Sequence, residues 1–168
     1  MKWMVCLLFA VIMLSGCSSA PTISEEPIEL GWINRSVLNA PEHQAFSTVY
    51  DTVRIQEPFI AMLKSVVGGV RTVVFLGTWC SDSRREVPRF LKVADEAGMP
   101  RDSVTLFAVD RSKISKDGTT GEYRIERVPT FIFFKEGKEI GRIVESPEAT
   151  MEQDMVRIFA MAAAGAEH

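Results

Sequence analysis

Trp79-Cys80 in "GTWCSDSRREVPRF" is where residue types and spacing first suggest chemistry in this chain. The pattern there changes from a β-branched apolar run to helical spacing. A cysteine at a helix start faces unpaired N–H groups and the positive end of the helix dipole, and both favour its thiolate. The thiolate is the species that attacks a disulfide sulfur and forms a mixed disulfide; it can also cycle through sulfenic acid. Ser83 stands one turn along, where a dithiol protein would place a second cysteine. Its hydroxyl can donate a hydrogen bond to the sulfur but cannot cut a mixed disulfide. Ser81, Asp82, Arg84 and Arg85 complete the turn. The two arginines add positive potential, while Asp82 opposes them or supports the helix N-terminus. The expected chemistry is that of one sulfur: exchange, isomerisation or capture. The opposing reading is a buried, inert cysteine, against which stand the neighbouring tryptophan and the helix start.

Cysteine usage sharpens this picture. The three cysteines are Cys6, Cys17 and Cys80. Lys2, the apolar run 3–14 and the small residues of "LSGC" resemble a bacterial lipoprotein signal, cut before a cysteine that then receives lipid. The run is short for a bilayer span. The resemblance implies a signal peptide over 1–16 and a mature chain anchored to a membrane through lipidated Cys17. It also implies a place in the bacterial cell envelope; Ser18 points to the outer membrane, facing the periplasm. An uncleaved anchor or a chance apolar start is the alternative. With Cys6 removed and Cys17 blocked, Cys80 is a lone thiol where disulfides commonly form. That leaves no intramolecular disulfide and no cysteine-based metal cluster. His43 and His168 lie too far apart in sequence to suggest zinc. No metal and no cofactor are expected.

About 150 residues follow the signal, enough for one domain with its own core. A net charge of -3 argues against nucleic acid as a partner. "SSAPTISEEPIEL" is rich in Ser, Pro and Glu and reads as a tether. The expected boundaries are therefore a tether over 17–33 and a domain over 34–168.

Several elements must hold Cys80 in place. Residues 34–50 are irregular, with weak helical spacing at Phe46, Val49 and Tyr50. Residues 58–67 read as a helix opened by Pro58 and stopped by Gly68-Gly69. "TVVFLG" at 72–77 suits a buried central strand. A helix follows over 81–97 with a kink at Pro88, then a second buried strand over 103–110. Residues 111–123 read as a loop with at most one helical turn. "TFIFFK" and "EIGRIVES" flank "EGK" as an antiparallel hairpin, and 147–164 closes the domain as a helix. The order implies an α/β fold, a mixed central sheet with helices on both faces.

"VVFLGTWCSDSRREVPRF" followed by "YRIERVPTFIFFKEGKEIGRIVESP" resembles the thioredoxin superfamily. It also looks like a bacterial subgroup of thioredoxin-like proteins carrying "WCxDS". The resemblance runs from about Val73 to Phe159. It implies a thioredoxin-like fold, a nucleophilic role for Cys80, a kink at Pro88, a hairpin turn at Gly137 and a cis bond before Pro129. It also implies that Val128 and Pro129 face Cys80 and that Trp79 borders a substrate groove. Two departures matter. Ser83 takes the place of the resolving cysteine, and Val74 takes the place of a buried, proton-shuttling aspartate. Both argue against efficient dithiol reduction.

The function expected is a membrane-tethered thiol–disulfide exchange enzyme, isomerase-like or mixed-disulfide-capturing, acting through Cys80 with Ser83 beside it. Its partners would be protein or small-molecule thiols and disulfides, with an external reductant or thiol to release captured substrate. Arg127 is the first candidate among the arginines for contact with substrate, the plainer reading being a solvated charged face. A redox-inactive module that binds peptide in the groove of Trp79, Val128 and Pro129 is the alternative. A third reading is an anion site at the helix N-terminus.

Overall fold

The computed structural model describes residues 27–165. The signal, Cys17 and most of the expected tether lie outside the described residues.

Five strands form one sheet in the order β1-β3-β2-β4-β5. Central strand β2 (Val70–Leu76) runs parallel to β3 (Val104–Ala108) and antiparallel to β4 (Thr130–Lys135). β5 (Lys138–Val144) returns from β4 through Glu136 and Gly137, both at positive φ (52° and 77°), the geometry a tight hairpin turn requires. Gly141 on β5 permits a close approach: a Cβ there would lie 2.8 Å from the Ile158 side chain.

Edge strand β1 (Gly31–Ile33) pairs antiparallel with β3 and corrects the expected boundary. Residues 31–33 were expected in the tether, yet they belong to the sheet. A three-residue edge strand carries too short an apolar alternation to stand out from a polar segment.

Helix α1 (Gln44–Thr52) occupies the region read as irregular, and α2 (Glu57–Val66) matches its expectation within one residue. α3 (Ser81–Glu96) carries Pro88 in its interior. Proline there removes one helical hydrogen bond at a cost of about 3 kcal/mol. Burial of Val87, Pro88, Phe90 and Leu91 on the same helix offsets it. α4 (Thr119–Glu122) is the single turn allowed for in the long loop, and α5 (Met151–Gly165) starts four residues later than expected. The late start follows from its caps. Thr150 Oγ1 accepts from Gln153 N–H, and Asp154 accepts from Glu148 N–H, so Pro147 stays outside the helix.

The two faces of the sheet are covered unequally. Val74, Leu76, Leu106, Phe131 and Phe133 point into a large core with buried residues of α1, α2, α3 and α5. Phe75, Phe107 and Ile132 point the other way. Their cover is thin: Val109, Val128, Trp79 and Cys80, with Tyr123 and Ile125 from the segment after α4. The α/β architecture with a mixed sheet stands as expected; on the second face the helical cover amounts to α4 and its flanking loop. Among the described residues, no helix is long and apolar enough to cross a membrane.

Candidate functional site

The site is built on the turn between β2 and α3. The Cys80 N–H donates to the Gly77 carbonyl at 2.9 Å, closing the turn, and the Arg84 N–H donates to the Cys80 carbonyl at 3.0 Å, opening the helix. Cys80 is therefore the N-cap of α3, with extended backbone (φ -88°, ψ 126°) and no side-chain capping bond. Cys80 as a residue is half-buried, and its thiol donates to the Val128 carbonyl at 3.4 Å. The Val128–Pro129 bond is cis, as the resemblance implied, and both residues are buried. Sulfur, helix start and proline segment thus meet at one place.

The polar side chains of the first turn do not point where the sequence placed them. Ser83 is fully buried, and its hydroxyl accepts from Gly77 N–H at 3.1 Å. No hydrogen bond joins Ser83 to Cys80 among the described residues. The expected donation to the thiolate is thereby corrected: the buried Gly77 N–H would otherwise be unpaired, at a cost of roughly 1–3 kcal/mol, and the hydroxyl meets that need. Arg84 likewise turns back, its Nε donating to the Thr78 carbonyl at 2.7 Å. Ser83 and Arg84 hold the 77–80 turn in shape. Asp82 makes no capping bond to the Cys80 end of the helix; it pairs with Arg85 at 2.8 Å. Its place in the first turn still complements the helix dipole. Ser81 is exposed.

Trp79 forms one wall. Its Nε1 donates to the Val109 carbonyl at 2.8 Å, and its ring closes on Gly77 so tightly that a Cβ there would fall 2.6 Å from it. Arg111 lies over the same ring, 4.9 Å from its centroid. Arg127, the expected substrate contact, is committed elsewhere. It donates to Glu145 at 2.7 Å, while its own carbonyl accepts from the Thr130 hydroxyl at 2.7 Å. Glu145 N–H donates to the Pro129 carbonyl at 2.7 Å, so these bonds fasten the proline segment to the end of β5.

Sequence reasoning passed over four contributors. Gly77 and Val109 fix the indole, Arg111 covers it, and Thr78 ties the turn to the chain's N-terminal side. The Thr78 hydroxyl donates to Pro27 O at 3.0 Å and accepts from Glu29 N–H at 3.2 Å. Glu29 also meets buried His43, Oε1 to Nε2, at 3.2 Å. The glycine two residues before a tryptophan was a readable signal for the packed ring; nothing local marked the others. Among the described residues, no group of three or more His, Cys, Asp or Glu could hold a metal ion.

The family model described as Thioredoxin matches residues 37–161. The chain belongs to the thioredoxin family. A thioredoxin of Malassezia sympodialis is 35% identical over 92 residues, covering 53% of this chain and 83% of that protein. Thioredoxin H-type 1 of Nicotiana tabacum is 31% identical over 85 residues, covering 51% of this chain and 63% of that protein. A thioredoxin-like protein of Acanthamoeba polyphaga mimivirus is 27% identical over 88 residues, covering 52% and 61%. The chain thus spans about three fifths of the length of the latter two. A solved protein of unknown function from Pseudomonas aeruginosa shares the fold at a TM-score of 0.55, with 15% identity over 75% of this chain and 86% of that one. Within the thioredoxin family the departures expected from the sequence now have places in space. Val74 is fully buried in β2 between Leu106 and Phe131, so it packs and cannot carry a proton. The position one turn after Cys80 holds a buried hydroxyl in place of a second sulfur.

Proposed function

We propose that this thioredoxin-family protein performs thiol–disulfide exchange with one sulfur, outside the cytoplasm, on a lipid anchor at Cys17. The Cys80 thiolate attacks a disulfide R–S–S–R′. The R–S–S–R′ bond breaks as the Cys80–S–S–R bond forms, and R′S⁻ leaves and takes up a proton from water. The substrate disulfide is reduced at one sulfur while Cys80 is oxidised. Release needs a second thiolate, from the same substrate (isomerisation) or from an external thiol. The observation that carries the reading is the pairing of the thiol of half-buried Cys80 with the Val128 carbonyl, while a buried Ser83 hydroxyl fills the next turn.

The test is trapping from the protein's own membrane fraction, with free thiols blocked on lysis. Mixed disulfides that vanish in Cys80→Ser support the reading; a native Cys80 that resists a thiol-specific probe at neutral pH contradicts it. Labelling with a lipid analogue, lost in Cys17→Ala, checks the anchor and the envelope location. A second reading, a redox-inactive peptide-binding module, draws support from the Ser83 hydroxyl facing Gly77 and leaving the sulfur without that donor. Partner recovery that survives Cys80→Ser would favour it.

A further inference from the structure

We propose that Arg111 is a carboxylate-recognition residue of this site, selecting disulfides that carry an acidic group close to the reacting sulfur. The inference rests on the single-thiol reading above. Trp79, next to Cys80 in the chain, is immobilised from two sides, by the Val109 carbonyl and by Gly77. It is a fixed platform. The Arg111 guanidinium sits over that platform at 4.9 Å, while the residue as a whole is exposed. An aromatic face takes up charge without accepting ordinary hydrogen bonds, so the contact leaves the planar fork of N–H donors open. That fork matches a carboxylate two bonds at a time.

The surrounding charges strengthen the case. Other arginines already hold carboxylates: Arg35 with Asp95, Arg127 with Glu145, Arg142 with Glu139. Among the described residues, no carboxylate pairs with Arg111. Its chain neighbour Asp110 accepts from both the N–H and the hydroxyl of Ser112, and these bonds hold the Asp110 carboxyl below its ordinary range. Asp82, on the helix side, is taken by Arg85. The result is a positive, donor-rich lip on the ring that borders the thiol, with the local acids engaged elsewhere. A substrate acid docked there would hold its disulfide over Cys80 before attack.

The experiment compares mixed-disulfide formation by the full chain in detergent with three small disulfides at one ionic strength. These are the dianionic 3,3′-dithiodipropionate, neutral bis(2-hydroxyethyl) disulfide and cationic cystamine, followed by intact mass. The native protein should prefer the dianion. In Arg111→Gln the dianion-to-neutral rate ratio should fall about twofold to fivefold, the range for an exposed ion pair. Arg111→Lys keeps the charge but lacks the fork, and should recover only part of the ratio. A parallel fall in both rates would show that Arg111 merely steadies Trp79, and full recovery by lysine would reduce the effect to charge attraction; either result overturns the proposal. If Cys80 reacts with none of the three, the single-thiol reading fails on its own. The inference is then decided on Cys80→Ser with glutarate, followed by the NMR signal of the Trp79 indole N–H. A shift that Arg111→Gln abolishes upholds it; no shift in the parent overturns it.

Discussion

The two sides of the sheet solve different problems. One side carries a thick core in which Phe90, Phe131, Phe133 and Phe159 pack ring on ring at 5.0 to 6.1 Å and four helices exclude water. The other is a thin cluster of Phe75, Phe107, Val109, Val128 and Ile132, with Trp79 and Cys80 at its margin. The thick side fixes the strands and α3, and so supplies rigidity. The thin side leaves Cys80 half-buried on a rigid frame. Side chains that sequence alone would assign to the reaction or to tuning the thiolate, Ser83 and Arg84, support the turn, because the turn that carries Cys80 has backbone groups needing partners.

Substitutions in order of effect can break or sharpen this contrast. Phe133→Ala should cost about 3–5 kcal/mol of stability, the range for emptying a core ring site. Urea unfolding reads it, and a loss below about 1 kcal/mol would deny the thick core its role. Gly77→Ala forces a methyl against the indole, and should cost about 1–3 kcal/mol and slow or speed probe attachment at Cys80 along with it. A change in stability with no change at the thiol would separate Trp79 from the site. Ser83→Ala leaves the buried Gly77 N–H unpaired and should cost roughly 1–2 kcal/mol; a loss under about 0.5 kcal/mol would show that the turn does not need the hydroxyl.

Asp95→Asn should give the smallest effect and tests the far end of α3. Burial raises the Asp95 carboxyl, but the hydrogen bonds from Arg35 and Tyr50 outweigh it and hold the group below its ordinary 3.8. Arg35 binds bidentately, at 2.8 and 2.6 Å, and Tyr50 donates at 2.7 Å. Because the folded value is depressed, the stabilisation is full above the unfolded value. It is lost as pH falls from about 4 through the folded value. With the pair partly exposed, Asp95→Asn should cost about 0.5–1 kcal/mol at pH 7 and reduce the acid loss of stability below pH 4. An unchanged acid limb in urea titrations would remove Asp95 from the account.

Much of this molecule was legible in the chain. β2, α3 and the β4–β5 hairpin carried strong local patterns, the cis bond before Pro129 followed from the family resemblance, and Cys80 lies where "GTWC" placed it. β1 was hidden because Gly31–Ile33 takes its identity from pairing with β3 rather than from its own periodicity. α1 was weakly marked because its buried stripe rests on Phe46, with Val49 and Tyr50 only partly covered. Within the site, sequence gave the neighbours of the sulfur but not their directions. Direction depends on which backbone groups a turn leaves unpaired, and that is a property of the fold. Arg111 was invisible for the same reason: thirty-one positions separate it from Cys80, and only the sheet brings its ring contact to the thiol.

The central claim is that Cys80 is an accessible sulfur with no second thiol among the described residues to finish its reaction. Intact mass of the native protein after incubation with a small disulfide, then removal of the excess, tests it directly. The account predicts a single adduct on Cys80 that persists until an external thiol is added, and that Ser83→Cys sheds by closing an internal disulfide. An adduct that never forms, or that the native chain releases unaided, would contradict it.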